Sequence, residues 1–380
     1  MFLYLAIIIA LTSREWTRKM SEGGTMESNQ TGVSSLRPVV SIIILNYNGK
    51  SVIKACVDSV LRSDYSPLQL IMVDNGSTDS STKDCIASLN EYDQERIRVI
   101  YNTTNLGYCD GFNCALPYSV GKYVMFLNND VEIDPTSITK LVEIFERDDD
   151  VGMAEGKIIN ITPGGPLKVA SPYVSFKYGL FVDVFQPNPD VSAYDEVRDI
   201  FSPVGVWAIC RRSVLDYSGS LDSVIFHGID VRELSWRFWR TGFKVVRVPE
   251  AVTLHHARLS TGLKSYSSKT LMLLSFHAKK NHFYFMMKHL SMKRIIVYFP
   301  LILGGEIIAA FGGLFGHNKY QFRVLVSSLK WTFANLPAIL EQRKMMFSKS
   351  KISESQVFSH LPKVPFASAL LEVLRLNRND

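Results

Sequence analysis

Four short apolar runs, each closed by a polar cluster and separated by helix-length segments, constrain this chain more than any other feature. Val39–Leu45 (VVSIIIL), Leu68–Val73 (LQLIMV), Arg96–Tyr101 and Tyr123–Leu127 (YVMFL) all have strand length. The first, second and fourth are apolar without alternation, as strands buried on both faces are. Helices are predicted over about Ser51–Arg62, Ser80–Asn90 and Cys109–Ser119. Asp134-Pro135 reads as the N-cap and first helical residue of a further helix reaching about Arg147. Strand and helix alternate with short connections. That is the pattern of a doubly wound α/β sheet, whose ligand crevice lies at the carboxyl ends of its strands.

The polar clusters fall at those ends: Asn46-Tyr47-Asn48, Asp74, Asn105 to Asn113, and Asn128 to Asp130. Polar groups at every strand exit are hard to explain as core, so they read as one site. No GxGxxG or P-loop follows the first strand, which argues against a dinucleotide or nucleoside-triphosphatase site.

The second half is less regular. Gly164–Asp195, rich in proline and aromatics, reads as loops over the site. Pro203–Arg211, Lys244–Val248 and Val252–Leu254 read as strands and Asp230–Arg240 as a helix. Beyond Gly262 the strand signal ends, and charge changes with it. Residues 263–380 hold 17 basic against 5 acidic residues, whereas the rest holds 25 against 31. Basic charge interleaved with long apolar runs favours an anionic membrane surface over nucleic acid as partner. Ile295–Phe315 is long enough to span a bilayer, but Pro300 and Glu306 make an interfacial or re-entrant helix an equal alternative. Met1–Leu11 is too short to span; it reads as a short membrane foot or as an upstream start, with Met20 or Met26 as the first residue. Residues 20–37 read as a linker. The five cysteines have no CxxC pair, which fits a reducing compartment and argues against a zinc site.

A nucleotide diphosphate leaving group develops charge that a divalent cation can neutralise. Mg²⁺ and Mn²⁺ prefer carboxylate oxygen and take few protein ligands, the rest coming from phosphate and water. Asp130, at the tip of the fourth strand, is the natural ligand, with Asn128 two residues earlier pointing to the same side. Asp74 can accept hydrogen bonds from a base edge or ribose hydroxyls. Arg211 and Arg212 read as a charged strand end.

The segments Ser41–Gly49 (SIIILNYNG), Val73–Asp79 (VDNGSTD), Asn105-Leu106-Gly107 and Leu127-Asn128-Asn129-Asp130 together resemble glycosyltransferase family 2, in particular its rhamnosyltransferase-like branch. The likeness extends in order and spacing to about Gly262. It implies a GT-A fold and inversion at the anomeric carbon. It further implies that Asp74 holds the nucleobase, that Asn105 and Gly107 line the nucleotide, with Asn46 and Asn128 beside them, and that Asp130 holds Mn²⁺ or Mg²⁺. The family often has a histidine where His255-His256 stands, completing the metal or diphosphate site; His255 is favoured. Inversion in one step needs a general base behind the acceptor hydroxyl. The family's Glu-Asp-x-Asp helix start corresponds to Asp230-Val231-Arg232-Glu233 here, so its second acid falls on Val231. Asp230 is the expected base, with Glu233 in reserve.

These readings divide the chain into a leader and linker (1–37), a GT-A catalytic domain (38–262) and a basic, amphipathic, helical membrane-associating region (263–380). They describe an inverting, metal-dependent hexosyltransferase at the cytoplasmic face of the cell membrane, peripheral or with one inserted helix. It moves one sugar from a nucleotide-sugar donor to a lipid-linked or surface-glycan acceptor. Processive synthases of the family carry a Gln-x-x-Arg-Trp motif that is missing here, which favours single transfer. The altered acidic motif motivates an alternative, a non-catalytic membrane scaffold. A nucleotidyltransferase would want a Gly-rich basic loop where Asn46–Lys50 stands.

Overall fold

A computed structural model describes residues 37–161, 168–169, 173–177, 180–184, 196–256, 268–314 and 320–361. The expectations for Met1–Leu11 and the 20–37 linker fall almost wholly outside these residues.

The first half folds as β1 (Val40–Asn46), α1 (Ile53–Leu61), β2 (Leu68–Asp74), α2 (Ser81–Ala87), α3 (Glu91–Glu95), β3 (Ile97–Tyr101), α4 (Gly107–Asn113), β4 (Tyr123–Asn128), β5 (Val131–Ile133) and α5 (Ser137–Arg147). Strands β3, β2, β1 and β4 lie side by side in that order, all parallel. Parallel strands need helical crossovers, which cover both faces. Alternate residues accordingly enter two separate cores. Ile42, Ile44, Met72 and Met125 pack beneath Ile53, Cys56, Val57 and Val60 of α1 and Ile138, Leu141 and Phe145 of α5. Ile43, Ile71, Val73 and Phe126 face Cys109 and Phe112 of α4 on the other side.

Two boundaries differ from the sequence reading. Asp134 does not cap a helix. Its Oδ1 accepts the Thr136 N–H at 3.0 Å and the Thr136 hydroxyl at 2.8 Å, a local turn that delays α5 to Ser137. The helix expected over Ser80–Asn90 ends at Ala87, and Asn90 instead caps α3, accepting the Asp93 N–H at 2.9 Å.

The second half extends the sheet with β6 (Val151–Asn160), β7 (Lys168–Val169), β10 (Arg198–Asp199), β11 (Trp207–Arg211) and β12 (Lys244–His255), while β8 (Tyr173–Lys177) and β9 (Leu180–Val184) form a separate hairpin. The Gly164–Asp195 segment, expected as loops, thus contains strands β7, β8 and β9 among its described residues. Strand β11 runs antiparallel between β4 and β6, making the sheet mixed. The two strands expected at Lys244–Val248 and Val252–Leu254 are one, with its ladder to β6 interrupted around Pro249, which has no N–H to donate.

Helices α6 (Arg212–Ser218), α7 (Asp230–Arg240), α8 (Ser268–His289), α9 (Met292–Leu314), α10 (Gln321–Ala334), α11 (Leu336–Lys349) and α12 (Glu354–Ser359) complete the described chain. The last part of α8 is not a loose appendage. Phe283, Tyr284, Phe285 and Met286 are buried in the same core as Trp236 and Phe238 of α7. The spanning alternative for Ile295–Phe315 finds no support: no described helix is long and apolar enough to cross a membrane.

Candidate functional site

The carboxyl ends of β1, β2 and β4 meet at one edge, Asn46 opposite Asp74 and Leu45 opposite Asn128. Asn46 is fully buried there. Its amide donates to the hydroxyls of Ser81 and Thr82, both at 2.8 Å, and its Oδ1 accepts from Asn129 at 2.7 Å. With its side-chain amide engaged inside the protein, Asn46 builds the floor that ties β1, α2 and the β4 exit together. A Cβ on Gly49 would stand 2.3 Å from its Oδ1, so the chain crosses tightly above it.

Asp74 borders a cleft of about 290 Å³ lined also by Gly76, Ser77, Lys83, Tyr101 and Asn102. One carboxylate oxygen accepts the Ser77 N–H at 2.7 Å, which fixes the side chain at the rim. Tyr101, 54% exposed, offers an aromatic face, and Lys83 a cation. A base can stack and hydrogen-bond in such a cleft.

Asn105 and Gly107 are mainly braces. Asn105 Oδ1 accepts the Gly107 N–H at 2.8 Å and the Asn75 amide at 3.1 Å. Gly107 is buried at φ +81°, and a Cβ there would meet the Phe226 ring and carbonyl at 2.6 Å. Gly107 lets the 226 loop close on the start of α4, where Tyr108 N–H donates to Phe226 O at 2.7 Å.

Asp130, 7% exposed, follows β4, and β12 brings His255 to it: Nε2 lies 3.6 Å from Asp130 Oδ2. His255 Nδ1 is 2.8 Å from Oδ1 of Asn160, its register partner on β6. Since that amide oxygen can only accept, Nδ1 carries a proton and Nε2 is the ring nitrogen that faces the carboxylate. A carboxylate oxygen and an imidazole lone pair at this separation form a donor pair that suits Mn²⁺ well and Mg²⁺ less well. Among the described residues no third His, Cys, Asp or Glu joins them, so diphosphate and water would complete the shell. Asn128 lies half-buried at the end of β4. Strand alternation sends His256 the other way, to Glu132 at 2.5 Å, where the hydrogen bond from His256 holds the Glu132 carboxyl below its usual range.

Asp230 opens α7 at the same edge. Its Oδ2 accepts the Gly228 N–H at 3.0 Å and its Oδ1 the Val231 N–H at 2.8 Å. The 204–206 segment links it to the β4 exit: Val206 O accepts the Asn128 N–H at 3.0 Å, and Gly205 lies against the Asp230 carboxylate. The Tyr108 hydroxyl, donating to Gly205 O at 2.9 Å, is pushed well up by burial, with Asp230 and Asp130 both adding to the effect. Val231, at the position of the family's second acid, points into the core.

Glu233 is corrected. Three residues along the helix from Asp230, it is wholly buried and bound to Arg237 at 2.7 Å, Lys288 at 2.9 Å and His289 at 2.8 Å. No acceptor hydroxyl reaches it. Arg211 and Arg212 are likewise structural, donating to carbonyls at Phe145 and Ser119. Asn160, Tyr108 and the Phe226 loop carried no signal in the sequence, because their partners lie far along the chain.

Residues 41–179 match the family described as Glycosyl transferase family 2. Similar proteins include an uncharacterized glycosyltransferase of Nostoc sp., 34% identical over 114 residues, covering 30% of this chain and 35% of the relative. An N-acetylglucosaminyl-diphospho-decaprenol L-rhamnosyltransferase of Mycobacterium tuberculosis is 27% identical over 274 residues, covering 66% of this chain and 85% of the relative. The match spans about a third of the length of the first curated relatives. Among solved structures, GalNAc-T7 with UDP, GalNAc and Mn²⁺ superposes with a TM-score of 0.52 at 17% identity, over 66% of this chain and 48% of that one. The shared fold is GT-A.

Proposed function

The chain carries a glycosyltransferase family 2 domain on a GT-A fold, and from that premise we propose that it transfers one sugar, with inversion, from a nucleotide-sugar donor to a hydroxyl of a lipid-linked or surface-glycan acceptor. The observation that carries this reading is the Asp130–His255 pair after β4, at the same carboxyl edge of the parallel strands as Asp74.

In this reading the nucleoside stacks on Tyr101 and hydrogen-bonds to Asp74, and the diphosphate lies toward β4. Asp130 and His255 would hold a divalent cation, Mn²⁺ or Mg²⁺, which when bound would supply Lewis-acid stabilisation of the departing diphosphate. Asp230 Oδ accepts the proton of the acceptor hydroxyl as its oxygen attacks the anomeric carbon from the face opposite the leaving group. The new glycosidic bond forms as the bond to the diphosphate breaks, so the configuration inverts and nucleoside diphosphate leaves. Backbone N–H donors from Gly228 and Val231 keep the base oriented. The likeness to the mycobacterial N-acetylglucosaminyl-diphospho-decaprenol L-rhamnosyltransferase supports a lipid-diphosphate-linked acceptor, and we place the protein at the cytoplasmic face of the membrane on the basic charge of residues 263–380.

A thermal-shift panel of UDP-, TDP- and GDP-sugars, with and without Mn²⁺, tests donor, metal and site together. A rise in Tm that needs both nucleotide and Mn²⁺, and that disappears in Asp130→Ala, is expected. Equal shifts in wild type and Asp130→Ala would refute the metal assignment.

A further inference from the structure

Helix α9 is apolar on two opposite sides. Ile295, Ile302 and Ala310, spaced by about two turns each, are buried in the core. The other side is also apolar. Val297, Leu301 and Ile308 follow at helical spacing, Ile296 and Phe311 flank them, and Ile308 is 74% exposed. Gly304 and Gly305 continue this side, and a Cβ at either would meet nothing within 4 Å. An outer face of a globular helix is ordinarily polar, so an apolar stripe of this length marks an interaction surface.

Neighbouring α10 widens the stripe. Its exposed Phe322 and Phe333 reach the α9 rings Phe311 and Phe299, with centroids 6.2 and 6.4 Å apart. The charges around the stripe have one sign. Lys293 at the start of α9 and Arg323 and Lys330 on α10 are exposed. Helix α10 contains no acid, and the single acid of α9, Glu306, is half-buried and paired with Lys279.

We propose that the exposed face of α9, with Phe322 and Phe333 of α10, is the surface by which the protein lies on an anionic lipid bilayer. Apolar side chains enter the acyl boundary, and Lys293, Arg323 and Lys330 meet the headgroups. The proposal deepens the reading of a membrane-linked acceptor and rests on it for its purpose, though not for its physics. A second copy of this chain is a poorer occupant, because a two-fold contact would bring the same three cations against themselves. Spanning is excluded for α9 by its buried side, which would have to be stripped from α8 and α10.

The test is flotation of the full chain with phosphatidylcholine vesicles and with vesicles containing phosphatidylglycerol, in the absence of donor. Each interfacial cation is worth about a factor of five on the anionic surface, so three predict binding up to roughly 100-fold tighter there. Val297→Glu/Ile308→Glu should weaken flotation at least roughly tenfold, two charges replacing apolar contacts. Both positions are exposed, so Tm and Mn²⁺-dependent nucleotide binding should stay at wild-type values. Wild-type protein that fails to float, or a double variant that floats equally well, overturns the proposal. So does a concentration-dependent dimer that the double variant dissociates. Normal flotation without nucleotide binding would sink the transferase reading and leave this one standing.

Discussion

Glu233→Gln should lower the unfolding free energy by about 3–5 kcal/mol, the usual cost of removing one partner from a buried ion network. The magnitude follows from the charges that Glu233 balances. Burial pushes the His289 imidazole down to about 4, so it is neutral at pH 7 and donates Nε2–H to the carboxylate. The network then holds two anions, Glu233 and Asp222, against two cations, Arg237 and Lys288, with Lys288 bridging both acids. Glutamine keeps the shape and leaves one buried positive charge uncompensated. That is roughly two to four powers of ten in the folding constant. Burial alone would raise the Glu233 carboxyl, but Arg237, Lys288 and His289 outweigh it and hold it well below the usual range. Its stabilisation is thus present above the unfolded value near about 4.3 and lost as pH falls through the lower folded value. The gap between wild type and variant should therefore be full at pH 7 and close only in strong acid. Urea unfolding followed by tryptophan fluorescence measures it, with turnover assayed in parallel. A variant as stable as wild type, but with kcat down a hundredfold or more, would mean that Glu233 is the base and this reasoning is wrong.

Asp230→Asn should show the opposite profile, with kcat down at least about 10²-fold and Mn²⁺-dependent nucleotide affinity unchanged; near-normal kcat would remove Asp230 from the chemistry. Asn160→Ala should weaken Mn²⁺ binding by about 10–100-fold, read by titration calorimetry with nucleotide present, because His255 loses the acceptor that sets its tautomer. Asn160→Asp, which can still accept from Nδ1, should recover most of the affinity, and equal loss in both variants would count against the positioning role.

Strands β1, β2 and β4 were legible because burial on both faces writes strands as unbroken apolar runs, and each run ended where its polar tip begins. What these tips do was less legible. Asn46 stands at a strand exit like Asp74, yet the hydroxyls that consume its amide come from Ser81 and Thr82, on a helix 35 residues later. Spacing also misled at α7. Asp230 and Glu233 lie within one turn, but Asp230 turns back onto the N–H groups of Gly228 and Val231, whereas Glu233 is claimed by Lys288 and His289 more than fifty residues on. The second half was obscure for the same reason, since an inserted antiparallel strand and an interrupted ladder are properties of pairing and leave no period to read.

The Glu233–Lys288 link has a consequence for reach. It fastens the helix that carries Asp230 to α8, and α8 meets α9 through Phe283 and Phe299, whose ring centroids lie 5.7 Å apart. If α9 rests on lipid and Asp230 is the base, that carboxylate stands at a set height over the bilayer, because a charged buried joint does not flex cheaply. An acceptor is then chosen by how far its hydroxyl projects from the surface, and each added sugar carries the new terminus past that height. Such a fixed gauge would stop extension after one residue without any separate counting device.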